Sequence, residues 1–194
     1  MKVLVACEFS GIVREAFAQH GHNAWSCDLL PTEIPGQHIQ GDVLPILNQG
    51  WDLMIAHPPC SHLSSSGAAW FEQKRKDGRQ QQGIDFFMKL ANAPVGKIAI
   101  ENPIGIMSTK YHKPDQIIQP YQFGEPVKKS TCLWLKGLPL LKPTKIIEPE
   151  ITTLKTGARF STWDYKISMN HKERAKLRSK TFQGIADAMA EQWG

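Results

Sequence analysis

Short apolar segments alternate with amphipathic or polar segments along most of the chain. Strand patterns occur at Lys2 to Ala6, Asn23 to Cys27, Trp51 to Ala56, Lys97 to Ile100 and Thr131 to Leu135. Helical spacing of apolar residues predicts helices over 11–19, over 82–93, and in the tail from its expected cap Asn170, with a break near 179–184. Strands that alternate with helices indicate an α/β domain with a doubly wound, mostly parallel sheet.

Prolines and small polar residues mark the connections between these elements. A proline-containing loop follows Asp28, two prolines at 58 and 59 end the third strand pattern, and residues 61–78 are polar and rich in small side chains. The stretch with Pro139, Pro143 and Pro149 is expected to be irregular. No internal repeat, low-complexity tract or linker interrupts the chain, so we expect residues 1–194 to form a single domain.

Composition narrows the class of protein. Hydrophobic residues make up 41% and charged residues 21% of the 194 residues, which fits a globular domain and argues against a disordered or fibrous chain. No apolar run approaches the roughly 20 residues of a membrane span, and early charges argue against a signal peptide, so we expect a cytoplasmic protein with no membrane contact. The four cysteines form no CxxC pair and the histidines show no zinc spacing, which predicts free thiols and no bound metal.

The residues that could bind a ligand or take part in catalysis lie where strands are expected to end. In a parallel sheet, ligands bind beyond the carboxyl ends of the strands. The positions concerned are Phe9-Ser10-Gly11, Asp28, Asp42, Cys60 and Glu101. This shared placement favours one ligand site at that edge of the sheet.

Cys60 and Glu101 are the strongest candidates for covalent chemistry. Cys60 follows a rigid diproline turn, and Glu101 stands at the end of the next predicted strand, so a thiol and a carboxyl group are expected to converge. A structural interpretation is also available, because free cysteines are often buried and a lone glutamate is usually solvated. His57 and His62 flank Cys60 and could lower the pKa of its thiol, although a structural role is favoured for both.

These motifs resemble those of the DNA cytosine carbon-5 methyltransferase family. Pro58-Pro59-Cys60 and Glu101-Asn102-Pro103 match its Pro-Pro-Cys loop and its Glu-Asn-Val strand end, in the same order. Phe9-Ser10-Gly11 resembles the family's cofactor turn, Asp28 its acidic ribose ligand, and Gly41-Asp42-Val43 its Gly-Asp-Ile element near adenine. The resemblance covers Val3 to about Asn102 and then thins.

The resemblance implies a Rossmann-like S-adenosylmethionine-dependent methyltransferase that acts on DNA. Its implied catalytic residues are Cys60, Glu101 and Asn102. Its implied cofactor-binding residues are Phe9, Ser10, Gly11, Asp28, Asp42 and Pro58, and its implied substrate-binding residues are Pro59, Ser61, Lys128 and Lys129.

Two departures from the family pattern affect target selection. Lys128-Lys129-Ser130-Thr131 stands where the family has a Gln-x-Arg-x-Arg strand, which questions the usual arginine contacts to the base. Too few residues follow that strand for the family's separate target recognition domain. We therefore expect a short, phage-type or prophage-type enzyme with low sequence selectivity, or one that obtains selectivity as a homo-oligomer or from a partner protein.

The expected reaction follows from the chemistry of the pyrimidine ring. Carbon 5 is a poor nucleophile until a thiolate adds at carbon 6, and a carboxylic acid near ring nitrogen 3 can supply the proton that this addition requires. The acid must be kept protonated by a desolvated pocket or by the base itself. We thus predict methylation of cytosine carbon 5 in DNA through a covalent Cys60 adduct.

Three alternatives stay open at this point. The same chemistry could act on single strands or free nucleotides, a modified cofactor could deliver another group, or an inactive methyltransferase-like subunit could only bind. The net charge of +5 permits a polyanionic partner. Two basic runs are compatible with phosphate contacts or with plain solvation: Lys74, Arg75, Lys76 and Arg79, and then Lys166, Lys172, Arg174, Lys176, Arg178 and Lys180.

Overall fold

A seven-stranded sheet forms the centre of the protein. The computed structural model describes residues 1–168 and 171–194, without the side chains of residues 168, 171 and 172, so the expected cap Asn170 lies outside the described residues. The strands are β1 (Lys2–Ala6), β2 (Asn23–Asp28), β3 (His38–Gln40), β4 (Leu53–Ala56), β5 (Lys97–Pro103), β6 (Gln116–Ile118) and β7 (Thr131–Lys136). Their spatial order is β3-β2-β1-β4-β5-β7-β6.

The first five strands run parallel, and β7 runs antiparallel to β5 and β6. Parallel strands are covered by helices on both faces, which explains why β1 and β4 are apolar almost throughout rather than alternating. Val3 and Val5 pack on one face of the sheet, whereas Leu4 and Ala6 pack on the other. The expected doubly wound, mostly parallel α/β sheet is therefore confirmed.

Seven α-helices accompany the sheet in the described part of the chain. They are α1 (Ile12–Gln19), α2 (Phe71–Lys76), α3 (Arg79–Ala91), α4 (Met107–Lys110), α5 (Thr162–Ser168), α6 (His171–Ser179) and α7 (Gln183–Trp193). α1 and α7 cover one face, where Phe17, Met189 and Trp193 are buried. α3 covers the other face through Phe87 and Leu90.

Several short elements were not expected from the sequence. β3 lies within the segment interpreted as a proline-containing loop, β6 pairs at the far edge, and a hairpin forms from β8 (Ile151–Thr153) and β9 (Arg159–Ser161). Three-residue strands carry too little periodicity to be detected from the sequence. β3 and β6 pair with longer neighbours, whereas β8 and β9 pair with each other. Among the described residues, no helix is long and apolar enough to cross a membrane.

Candidate active site

Three side chains stand in a row at the carboxyl edge of the central strands. β1, β4 and β5 are in register at Ala6, Ala56 and Ile100. The following residues, Cys7, His57 and Glu101, are therefore neighbours across the sheet. The prediction that the strand of Glu101 lies beside the strand leading to Cys60 is confirmed.

The Cys60 loop is held by hydrogen bonds at both of its ends. The backbone amides of Leu63 and Ser64 donate to the Cys60 carbonyl at 3.0 and 2.9 Å, which closes a turn directly after the nucleophile candidate. At the other end, Asn102 Nδ2 donates to the Pro58 carbonyl at 2.8 Å, and the Asn102 side chain is buried. Asn102 thus ties the diproline turn to β5, which fits a positioning role.

A second loop supports the Cys60 loop from the side of β5. Ser65 donates its backbone amide to the Ile104 carbonyl at 3.0 Å, and Ile106 donates to the Leu63 carbonyl at 2.9 Å. Gly105 lies between these contacts, where an added Cβ would come within 2.2 Å of the Leu63 oxygen. Only glycine allows this approach of the two backbones.

Glu101 has a direct partner that the sequence did not identify. His57 Nδ1 lies 3.2 Å from Glu101 Oε2, and the two side chains are 6% and 19% exposed. Burial alone would raise the Glu101 pKa, but the hydrogen bond from His57 and the positive charges of Lys129 and His57 hold it below its ordinary value. His57 Nε2 is buried and has no protein partner in the described part of the chain.

The Cys60 thiol lies in the same electrostatic environment. Burial and the negative charge of Glu101 raise the Cys60 pKa, whereas the positive charges of Lys129 and Arg178 oppose this increase. Cys60 is partly exposed, so its sulfur is neither sealed in the core nor fully solvated. Glu101 and Lys129 thus act on the Cys60 pKa in opposite directions.

Lys129 and Lys128 differ in their surroundings. Lys129 Nζ donates to the Arg178 carbonyl at 2.8 Å and lies 5.7 Å from the centre of the Phe182 ring. Lys128 is exposed, and its described contact is a backbone bond to Ser161 Oγ at 3.4 Å. Of these two residues predicted to bind substrate, the structure brings Lys129 to the candidate site.

The turn after β1 is organised by Glu8, whose role could not be predicted from the sequence. Its buried carboxylate accepts from the Val13 amide at 2.7 Å, from the Arg14 amide at 3.2 Å and from Ser10 Oγ at 3.1 Å. Glu8 thereby occupies the amino end of α1. Gly11 enters the helix with φ at 78°, a conformation that favours glycine.

The predicted cofactor residues surround this turn. Phe9 and Ser10 are buried, and Asp28 stands partly buried at the end of β2. Burial raises the pKa of the Cys7 thiol to about 12, and the negative charges of Asp28, the Cys27 thiolate and Asp42 add to the effect. Asp28 pairs with Gln40 at the end of β3, and Gly41 donates its amide to the Asp28 carbonyl at 2.8 Å, so Asp28 and Asp42 follow two adjacent strand ends.

Two exposed leucines follow Asp28 at the end of β2. Leu29 and Leu30 follow Asp28 and are 73% and 50% exposed. A carboxylate beside exposed leucines provides a hydrogen-bond acceptor next to an apolar surface. The Asp-Leu-Leu sequence at a strand end was the signal available for this arrangement.

In the two basic runs, most of the described side chains bond to other groups of the protein. Lys176 and Lys180 reach Glu33 at 2.7 and 2.5 Å, and Arg178 pairs with Asp164. In the other run, Lys74 donates to the Ser61 carbonyl at 2.6 Å. Its neighbours Lys76 and Arg79 pair with Glu72 and Asp77 at 2.8 and 2.5 Å. Among residues 1–168 and 171–194, no group of three or more His, Cys, Asp or Glu residues is placed to hold a metal ion.

Comparison with known proteins gives a match in structure. No protein-family model matches the sequence, and no curated protein matches it. The fold is similar to that of a candidate DNA modification methyltransferase from E. coli, encoded within a prophage, with a TM-score of 0.52 at 18% sequence identity. The match covers 75% of this chain and 51% of the E. coli chain, so this protein corresponds to about half of that neighbour. At this identity the similarity establishes the methyltransferase-type fold.

Proposed function

We propose that the protein transfers a methyl group from S-adenosylmethionine to carbon 5 of cytosine in DNA, with Cys60 as the nucleophile and Glu101 as the proton donor. The observation that carries this proposal is the arrangement of two adjacent strand ends. Asn102 fixes the diproline turn that presents Cys60, and Glu101 is the residue before Asn102 on β5. A thiol and a carboxyl group are thereby held on one rigid scaffold, as covalent catalysis needs.

The residues around β1 fit S-adenosylmethionine better than a dinucleotide. A dinucleotide places its pyrophosphate at the amino end of the first helix of such a sheet. That position is filled by the Glu8 carboxylate, which would repel a phosphate. S-adenosylmethionine has no phosphate, and its ribose hydroxyls and adenine suit Asp28, Asp42 and the exposed Leu29. The buried His57 Nε2, which has no partner among the described residues, offers one more polar contact at this edge.

The bound cofactor supplies an electrophilic methyl group. The Cys60 thiolate adds to carbon 6 of cytosine, Glu101 donates a proton to nitrogen 3, and carbon 5 becomes nucleophilic enough to accept the methyl group. A general base then removes the carbon 5 proton, which expels the thiolate, and nitrogen 3 returns its proton to Glu101. Lys129 stabilises negative charge on Cys60 and Glu101, because its positive charge lowers the pKa of both groups.

DNA is the substrate that we favour. The fold neighbour is a candidate DNA modification methyltransferase, and this chain has a net charge of +5. A cytosine in a duplex must leave the base stack to reach Cys60, which costs a few kcal/mol that contacts to the backbone and neighbouring bases have to offset.

Mass spectrometry of nucleosides tests the proposed product. DNA from cells that express the protein should contain 5-methylcytosine above the level in cells that express Cys60→Ala. A methyl group on the exocyclic nitrogen instead would identify an amino-methyltransferase, a reaction that needs no thiol. Unmodified DNA together with methylated free nucleotides would move the same chemistry to a nucleotide substrate.

A further inference from the structure

Trp70 is a large aromatic side chain that the proposed reaction does not use. It ends the helical turn Ser65–Trp70 that follows the Cys60 loop, and 63% of its surface is exposed. Burying a tryptophan ring is worth more than burying most other side chains, so an exposed indole in the segment that follows the Cys60 loop is a candidate binding surface.

The segment that carries Trp70 is fastened to both loops of the candidate site. At its start, Ser65 Oγ donates to the Ile104 carbonyl at 2.9 Å, which joins it to the loop after Glu101. Beyond Trp70, Lys74 Nζ donates to the Ser61 carbonyl, directly after Cys60. Trp70 therefore lies between two points at which its segment is fastened to the loops that follow Glu101 and Cys60.

Positive charge accompanies the exposed ring. α2 begins directly after Trp70 and carries Lys74, Arg75 and Lys76 in its last turn. The two acidic residues of this segment are already paired, Glu72 with Lys76 and Asp77 with Arg79. Arg75 is exposed and Lys74 is only partly covered, so the surface keeps a positive charge beside the indole.

We propose that Trp70 and α2 form a binding surface for the nucleic-acid strand that contains the target base. The indole stacks on an unpaired base next to the target, and the guanidinium of Arg75 contacts the backbone phosphates. Stacking platforms flanked by cationic side chains are how proteins hold single strands without reading their sequence. This surface rests on the proposed function, since it assumes that Cys60 receives its base from a polynucleotide rather than from a free nucleotide.

A fluorescence anisotropy titration with a labelled single-stranded DNA of mixed sequence tests the surface. Trp70→Ala should weaken binding roughly tenfold, whereas Trp70→Phe should largely restore it, because phenylalanine also stacks. The matched control is Leu140→Ala. Leu140 is 56% exposed but follows the end of β7, which pairs with the start of β5, so it lies beyond the amino ends of the parallel strands. Its removal should leave binding unchanged.

A second variant addresses the charge independently of the ring. Arg75→Gln should reduce the slope of log affinity against log salt by about 0.7, the loss of one phosphate contact on a single strand. Because Arg75 is exposed on a short helix, this change does not depend on core packing.

The titration separates this inference from the proposed chemistry, because binding can be measured in Cys60→Ser protein that cannot react. Wild-type affinity in folded Trp70→Ala protein, an unchanged salt slope in Arg75→Gln, or no DNA binding by the wild-type protein would each overturn the surface. Trp70-dependent binding without any methyl transfer would support the surface while contradicting the proposed reaction.

Discussion

His57 Nδ1 lies 3.2 Å from Glu101 Oε2, which links the ends of β4 and β5 immediately before the diproline turn that leads to Cys60. This hydrogen bond helps to hold the Glu101 pKa below its ordinary value despite the burial of the carboxyl group. Of the two ways to keep the proton donor protonated, a desolvated pocket is thus disfavoured. Binding of the target base, which excludes water and accepts a hydrogen bond at nitrogen 3, is therefore expected to keep Glu101 protonated.

Removal of His57 should change the pH dependence of the reaction. If Glu101 must be protonated to act, the rate falls as pH rises through the Glu101 pKa. His57→Ala removes a hydrogen bond that lowers this pKa, so the falling limb should move to higher pH. The measurement is kcat/KM against pH for wild-type and variant protein. Glu101→Gln serves as the control, since the limb should be absent there, and an unshifted limb in His57→Ala would contradict the role of the pair.

Lys129 and Lys128 form a natural pair of test and control. Lys129→Ala should raise the Cys60 pKa further and slow alkylation of Cys60 by iodoacetamide at fixed pH, because thiolate is the reacting form. Lys128→Ala should leave the rate unchanged. Peptide mass spectrometry can follow Cys60 separately from Cys7, Cys27 and Cys132, whose pKa values are raised to about 12, 11 and 11 and whose thiols should react slowly. Equal alkylation rates in both variants would show that Lys129 does not lower the Cys60 pKa.

The hydrogen bond from Asn102 to the Pro58 carbonyl should matter for both stability and activity. Asn102→Ala leaves a buried carbonyl without its donor and should cost about 1 to 3 kcal/mol in the free energy of unfolding. It should also lower kcat more than it changes cofactor affinity. Asn92→Ala removes an exposed bond of the same type, to the Met88 carbonyl, and should cost less. Chemical denaturation and steady-state kinetics measure the two effects, and equal losses in both variants would argue against a special role.

Asp28 provides a test of the cofactor site. Asp28→Ala should weaken binding of S-adenosylmethionine by about 1 to 3 kcal/mol, because a hydrogen bond to a ribose hydroxyl is lost. Asp52→Ala is the control, since the Asp52 carboxylate accepts from the Lys2 amide at the amino ends of β1 and β4, away from the candidate site. Calorimetric titration measures both affinities. Unchanged affinity in Asp28→Ala would show that the ribose lies elsewhere.

The long apolar strands and the strand-end chemistry could be predicted from the sequence, because both depend on local patterns. β1, β2 and β7 follow the expected segments within a residue or two, and the register places Glu101 near the Cys60 loop. The reversed direction of β7 could not be predicted, since an apolar run carries no information about the direction in which a strand pairs. β3 and β6 could not be predicted either, since each has three residues and forms by pairing with a longer neighbour, β2 or β7.

The partners of the site residues were also beyond the sequence. Glu8 follows Cys7 as an isolated acidic residue, and its role depends on the exposed amides at the start of α1. His57 stands close to Cys60 in the sequence, whereas the structure pairs it with Glu101, 44 positions later in the chain. The tail residues Lys176 and Lys180 were considered for phosphate contacts, but both bond Glu33. Each of these relationships arises from tertiary packing.

The central claim is the covalent bond between Cys60 and carbon 6 of the ring, and DNA containing 5-fluorocytosine tests it most directly. After methyl transfer, fluorine at carbon 5 cannot leave as a proton does, so the thiolate cannot be expelled. With S-adenosylmethionine present, the wild-type protein should form an adduct that survives denaturing electrophoresis, and peptide mass spectrometry should locate it at Cys60. Cys60→Ser should form none. Methylation of ordinary cytosine DNA at the wild-type rate by Cys60→Ser, or an adduct at a different cysteine, would contradict the account.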